Sequence, residues 1–322
     1  MQKIERAKAT LTEFGAGIEP MLYVNPGESF MVETEDNFHG KIKTNEDIPS
    51  PEYLPFLNRQ FQAVNPLAGP IYVNGLKAGD LMVIEVEDII PEAQGWSGFN
   101  QLGGGFHNFY KYPEFQLPYA RIIRHEVGES GTYADGTGHF NVNRDVTIPL
   151  HPFIGTIVTA PERQIENSVT TQGPWGGNID CKHVCVGNKI MLNTYHDGGL
   201  LFFGDVHGAQ SDAELTGFAD ETAATTIVKC DIIPQKRIPG IMRIETPTSL
   251  IQIDSTRNSG NPTEALRNCF DGMLQWLTQD YGLDPREVYI HFSANPDVAV
   301  HTYQFTGCRS HVMGVEFLKK YL

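Results

Sequence analysis

The sequence predicts a mainly β fold, with sandwich or jelly-roll-like and barrel-like parts, followed by an α+β C-terminal part. Three observations carry this. Up to about residue 255 the chain is a succession of short apolar runs, each closed by Gly, Pro, Asn or Asp. Its 32 glycines and 20 prolines make turns frequent. A helical spacing of apolar residues appears only after residue 260.

The elements follow in order. "DLMVIEVED" (80–88) sets Leu81, Val83, Glu85 and Glu87 against Met82, Ile84 and Val86, the two-residue period of a strand. "TIVTAP" (156–161), "KIMLNTY" (189–195), "LLFFGD" (200–205), "ATTIVKCDII" (224–233), "IMRIET" (241–246) and "SLIQID" (249–254) have the same character. Many short strands between turn signals suggest a sandwich or barrel. Residues 92–118 are rich in Gly and aromatics without a period and read as a long ordered loop, a wall or lid of a site. In "NPTEALRNCFDGMLQWLTQDYG" one helical face carries Ala265, Leu266, Cys269, Phe270, Met273, Leu274 and Leu277. Asn261 is its predicted cap, Pro262 suits its first turn and Gly282 its end. "LDPREVYIHFSA" predicts a second, shorter helix, and "DVAVHTYQF" and "HVMGVEFL" predict closing strands. The expected division is an N-terminal sandwich-like domain (1–145), a β-rich domain with the site motifs (146–255) and the α+β part (256–322).

The bulk properties exclude several functions. With 322 residues and 40% hydrophobic content, the chain can bury a large core. A formal charge of −15 repels phosphate backbones and argues against nucleic acid as a partner. No apolar stretch approaches the roughly 20 residues of a membrane helix, and the N-terminus lacks a signal core. A cytoplasmic protein is expected. Five cysteines, at 181, 185, 230, 269 and 308, fit reduced thiols better than a disulfide framework.

Two polar segments interrupt the strands. In "TTQGPWGGNIDCKHVCVGNK" (170–189), Asn178 and Asp180 are two apart and would share one side of an extended chain, although an Asn/Asp turn gives the same pattern. "CKHVC" suggests zinc, but no second Cys/His pair completes a structural site, so packing explains it better. "GDVHGAQSDAE" (204–214) offers His207, with Glu214 seven residues on. A lone histidine at a strand end is either hydrogen-bonded or a ligand. With Asp180 it would make the mixed imidazole–carboxylate set that zinc accepts with an open water position.

Taken together, these stretches resemble the acetamidase/formamidase family. "NPLAGPIYVNGLKAGDLMVIEVEDI" (65–89), "PFIGTIVTAP" (152–161), "GPWGGNID" (173–180), "LLFFGDVHGAQSDAEL" (200–215) and "WLTQDYGLDPREVYIHFSA" (276–294) match its motifs in order. Asp36 in "VETEDNFHGKI" (32–42), Asn178, Asp180, Asp205, His207, Gln210, Asp212 and Glu214 fall on motif positions. The chain departs from the pattern at Trp175, where a histidine is common, and at Ser211 and Ala213, which replace glycines.

The resemblance implies hydrolysis of a small linear amide to carboxylate and ammonia. It also implies a divalent metal, zinc most often, and a homo-oligomer. The expected ligands are Asp180 and His207, with Asp36 as a third. Glu214 is expected as general base and acid, and Asn178 and Gln210 as substrate or oxyanion contacts. Glu221, seven residues after Glu214, is a further candidate for the acid–base role, although a surface carboxylate is the favoured reading. Two rival readings are a Cys181 nucleophile with His183 as base, and a non-catalytic ligand-binding β domain.

Overall fold

The computed structural model describes the chain except residues 56–62, 101–103, 107–111, 142–143 and 307–309. Cys308 and parts of the 92–118 segment therefore lie outside the described residues. The fold is mainly β, in several open sheets with helices near the C-terminus.

Two large sheets face each other. The first has nine strands, in the order Gln2–Ile4, Ser29–Thr34, Ala224–Ile233, Leu81–Pro91, Lys189–Asn193, Met242–Glu245, Ser249–Ser255, Ser310–Leu318 and Ala299–Thr306. The second has six, in the order Gln172–Gly173, Gly176–Asn178, Phe153–Thr159, Leu201–His207, Leu67–Val73 and Leu22–Val24. Strands from each of the three stretches expected as domains thus combine in the nine-stranded sheet. The main core takes Ile84, Val86, Ile190 and Val228 from the first sheet and Ile71, Ile157, Leu201 and Phe203 from the second. A four-stranded sheet, Asp145–Pro149, Thr137–Asn141, Tyr119–Glu126 and Gln94–Phe99, stands beside them.

The two-residue period explains these faces. In Leu81–Pro91, Met82, Ile84 and Val86 enter the main core, whereas Leu81 and Val83 face the helical cluster. Glu85 and Glu87, on that second face, pair with Lys229 at 3.1 and 3.2 Å. In "LLFF", Leu201 and Phe203 enter the main core, and Leu200 and Phe202 pack with Phe14 on the opposite face. A strand filled on both sides cannot shift register without burying the wrong residues, so whatever stands at its end is held firmly.

The helix Pro262–Gln279 begins as expected, with the Asn261 side chain accepting from the Glu264 amide at 3.0 Å. It buries Ala265, Cys269, Met273, Trp276 and Leu277 against the nine-stranded sheet, while Leu266, Phe270 and Leu274 are half-buried at its side. Gly282, at φ 72°, turns the chain so that the Leu283 amide reaches the Leu277 carbonyl at 3.2 Å. Pro285–Ala294 is the second helix. No helix among the described residues is long and apolar enough to cross a membrane.

The 92–118 segment differs from the expected loop. Gln94–Phe99 is a strand paired along its length with Tyr119–Glu126, and Pro113–Gln116 is one 3₁₀ turn. Its glycines hid the strand: Gly95 and Gly98 face backbone or side-chain atoms so close that a Cβ would overlap them. "CKHVC" lies in a turn.

Candidate active site

Three adjacent strands of the six-stranded sheet bring the polar motifs together. Phe153–Thr159 lies between Gly176–Asn178 and Leu201–His207, and Thr156 is paired with both Asn178 and Gly204. Asp205 and His207 end one outer strand, and Asp180 follows the other. Gly176 makes this spacing possible: at φ 101°, any Cβ would lie 2.3 Å from the Ile157 carbonyl oxygen. The two motifs, about 30 residues apart in sequence, thus form one site.

Five ionisable side chains meet there. Asp180, Asp205, His207, Glu214 and Glu221 are at most 6% exposed. Ligand-capable atoms of Asp180, Asp205 and His207 lie within 4.8 Å of one another, as do those of His207, Glu214 and Glu221. His207 Nε2 is 3.7 Å from Asp205 Oδ1 and 3.4 Å from Glu221 Oε2. Asp205 is oriented by its other oxygen, Oδ2, which accepts from Asn65 Nδ2 at 2.8 Å and Thr156 Oγ1 at 3.0 Å. Gln304 Nε2 donates to Asp180 Oδ2. Asp180 Oδ1 and Glu221 Oε2 are buried and accept no hydrogen bond. Asp180, Asp205 and Glu214 have φ of 48°, 57° and 44°, a left-handed backbone that is costly outside glycine and collects at functional sites.

The electrostatics follow from crowding. Burial, with Asp205 adding repulsion, pushes the Asp180 carboxyl up to about 7. Burial pushes Glu221 up to about 7 and Glu214 well above the carboxylate range, Asp180 adding its repulsion at Glu214. Burial disfavours the charged form of His207, yet Glu221 and Asp205 outweigh it and raise the imidazole well above its ordinary value. Four carboxylates and one imidazole cannot all be ionised in so small a space. The cluster holds either shared protons or a cation. Asp180, Asp205 and His207 offer two carboxylates and an imidazole within 4.8 Å of one another, a donor set a divalent cation accepts, and Asp180 Oδ1 among them is an orphaned oxygen, so the residues present fit a metal.

The cluster lines a cavity of about 90 Å³. Its opposite wall is apolar, formed by Phe38, Val64, Val169 and Phe218. Arg257 is the only lysine or arginine among the described lining residues. A cavity this small, far below the roughly 300–1,000 Å³ of drug-sized sites, suits a substrate of a few heavy atoms.

The expected residues separate in this geometry. Asp180, His207, Glu214 and Asn178 meet at the cavity. Asn178 Oδ1 accepts from Thr156 at 2.9 Å, and its Nδ2 donates to Val169 O at 3.2 Å. Asp36 does not join them. Its Oδ1 accepts from the Phe38 and Gly40 amides, both at 2.8 Å, so it shapes a turn behind the cavity wall. Gln210 lies outside the cavity lining: Oε1 contacts His207 Nδ1, and Nε2 donates to the carbonyls of Asp180 and Tyr303. Trp175 packs beside Tyr195, outside the cavity lining.

Glu221 is a correction. It is 2% exposed rather than a surface carboxylate, because its backbone bridges to both Trp96 and His207. No local signal marks it. Asp205, named only as a motif position, is not among the expected ligands; its place two residues before His207 on one strand is the signal.

The cysteine reading finds no support in the geometry. Cys181 and Cys185 are buried and outside the cavity lining. Burial pushes the Cys181 thiol far up and that of Cys185 up to about 11, the reverse of an activated thiolate. Burial lowers His183 to about 4, and its Nδ1 is engaged by the Tyr303 hydroxyl at 2.9 Å.

Comparison with known proteins places the chain in a family. The sequence profile of the Acetamidase/Formamidase family matches residues 2–174 and 168–304. The acetamidase of Mycolicibacterium smegmatis is 26% identical over 246 residues, covering 60% of this chain and 58% of that protein. The formamidase of Methylophilus methylotrophus is 25% identical over 253 residues, covering 61% of this chain and 57% of that protein. The match thus spans less than two thirds of these relatives' own length. Among solved structures, the acetamidase from Yersinia enterocolitica superposes with a TM-score of 0.84 at 26% identity, over 99% of this chain and 92% of that one.

Proposed function

This chain belongs to the acetamidase/formamidase family, and from that premise we propose that it hydrolyses the C–N bond of a small linear amide, giving a carboxylate and ammonia. The buried cluster of Asp180, Asp205, His207, Glu214 and Glu221 around one small cavity carries this reading.

Amides resist hydrolysis because nitrogen donates into the carbonyl and leaves only when protonated. Asp180, Asp205 and His207 would hold a divalent cation, and the mixed carboxylate and imidazole donors suit zinc. When bound, such a cation supplies Lewis acidity, which polarises a carbonyl oxygen and acidifies water. Glu214 supplies proton transfer: it takes the proton from the attacking water and returns it to the leaving nitrogen. Its burial suits this task, since a carboxyl shifted upward holds the proton it takes from water more firmly than an ordinary carboxylate and can hand it on to nitrogen. Asn178 orients the substrate through its second N–H, and the apolar wall of Phe38 and Phe218 faces the acyl group and limits its size.

The test is ammonia release from formamide, acetamide, propionamide and larger amides, with metal content measured on the same preparation. Turnover that falls with acyl size, and is lost on chelation and restored by Zn²⁺, is the expected result. Absence of turnover with and without added divalent metal overturns the reading.

A further inference from the structure

We propose that Gln210 is a positioning residue that fixes the tautomer of His207, so that the ring presents its Nε2 lone pair to a cation in the cluster. The inference rests on the reading of that cluster as a cation site. It arises from hydrogen-bond bookkeeping around one amide.

The Gln210 side chain touches three groups. Nε2 donates to Asp180 O at 2.8 Å and to Tyr303 O at 3.1 Å. Both partners are backbone carbonyls, which can only accept. The amide therefore cannot be turned over, because Oε1 would then face two oxygens. With Nε2 fixed, Oε1 must be the atom 2.9 Å from His207 Nδ1. A carbonyl oxygen accepts, so Nδ1 carries the proton. In a neutral imidazole the lone pair then lies on Nε2, the nitrogen that faces Asp205 and Glu221. Gln210 thus excludes the one neutral tautomer that would point an N–H into the cluster.

The fold makes these carbonyls available. The pairing of Ala299–Thr306 with Ser310–Leu318 shifts register between Thr302 and Gln304, leaving Tyr303 as a bulge whose carbonyl is free to accept from Gln210. Asp180 has a left-handed backbone, and its amide bonds to Gly155 O at 3.1 Å. One side chain therefore ties His207, the Asp180 turn and the bulged strand together. That strand also carries Gln304, which holds the Asp180 carboxylate.

The experiment uses the full chain with ¹⁵N-labelled histidine, loaded with ¹¹³Cd²⁺ as a zinc probe, together with zinc titrations of the native chain and of Gln210→Met. Met keeps the length of the side chain but neither accepts from Nδ1 nor donates to the carbonyls. The native chain should show cadmium coupling on Nε2 of His207 and a proton on Nδ1. Gln210→Met should bind zinc 10–100-fold more weakly, the usual effect of removing the partner of a ligating imidazole. Cadmium coupled to Nδ1, or an unchanged affinity in Gln210→Met, overturns the role of Gln210 while leaving a cation site in place. A native chain that binds neither metal overturns the cation reading itself. If Gln210→Met does not fold, the native spectrum alone still decides which nitrogen binds.

Discussion

Adding one methyl group to Gly155 should damage the site without replacing any of its ionisable side chains. Gly155 lies on the strand between the two motif segments, and a Cβ built there would be 2.7 Å from Asp205 O, 2.8 Å from Asp180 Oδ1 and 2.9 Å from His207 Cε1. Relaxed carbon contacts begin near 3.4–3.5 Å, so each neighbour must retreat by about 0.5–0.8 Å. The three atoms belong to different segments, and no single movement clears them all. Asp205 O is backbone in a strand packed on both faces, so the burden falls on Asp180 and His207. Metal–ligand distances tolerate only about 0.2 Å, several-fold less than this displacement. Gly155→Ala should therefore lower zinc affinity by at least 10–100-fold and cost about 1–3 kcal/mol of stability through overpacking. Isothermal calorimetry and urea unfolding measure the two effects. Gly17→Ala is the control: nothing lies within 4 Å of its Cβ, and its stability should stay within about 0.5 kcal/mol of native. Native zinc affinity together with native stability in Gly155→Ala would mean that Asp180, Asp205 and His207 do not converge on this glycine.

Three further outcomes are expected. Glu214→Gln keeps shape but cannot transfer a proton, so ammonia release should fall by about 10²–10⁴ with metal content unchanged; loss of the metal instead would make Glu214 a ligand. Ala213 has φ 81° and is pinned by hydrogen bonds to Thr302 O and from the Phe305 amide, so Ala213→Gly should raise stability by about 0.5–1 kcal/mol in urea unfolding as relief of strain exceeds the added chain entropy. A lower unfolding midpoint would contradict that account. Glu316 is held down to about 2, first by the hydrogen bond from His301. The unfolded chain takes up that proton first, near pH 4.5, so the pair stabilises the fold above this pH and the contribution is lost as pH falls toward 2. Glu316→Gln should flatten this acid limb of the stability profile, and an unchanged limb would assign it to other carboxylates.

Local features were legible wherever neighbours in sequence decide them. The Asn261 cap, Pro262 and the helical face from Ala265 to Leu277 lie within one helix, and the structure has them as expected. The strand alternation of 80–88 was equally plain, since a two-residue period needs only the strand itself. Gln94–Phe99 escaped because Gly95 and Gly98 lower strand propensity, and the reason for them is contact with residues far along the chain. Ala213 also takes its meaning from the fold. Ala213 occupies a left-handed position where a glycine would be unstrained, held there by a strand some 90 residues later.

The sequence by itself determined the mainly β class, the C-terminal helices, the family motifs and most of the acidic and histidine residues of the site. The first two are encoded by composition, period and short spacing, and the site residues follow from the resemblance of the motifs to the family's. Tertiary structure alone decided what each residue does there. It turned Asp36 toward backbone amides, brought Glu221 inward against His207, and aimed Gln210 at an imidazole instead of a substrate. It also joined Asn65 to Asp205, 140 residues apart. The physical reason is that a side chain's type is local, whereas its hydrogen-bond partner is chosen by which strands pair and which carbonyls the bulges and left-handed turns leave open.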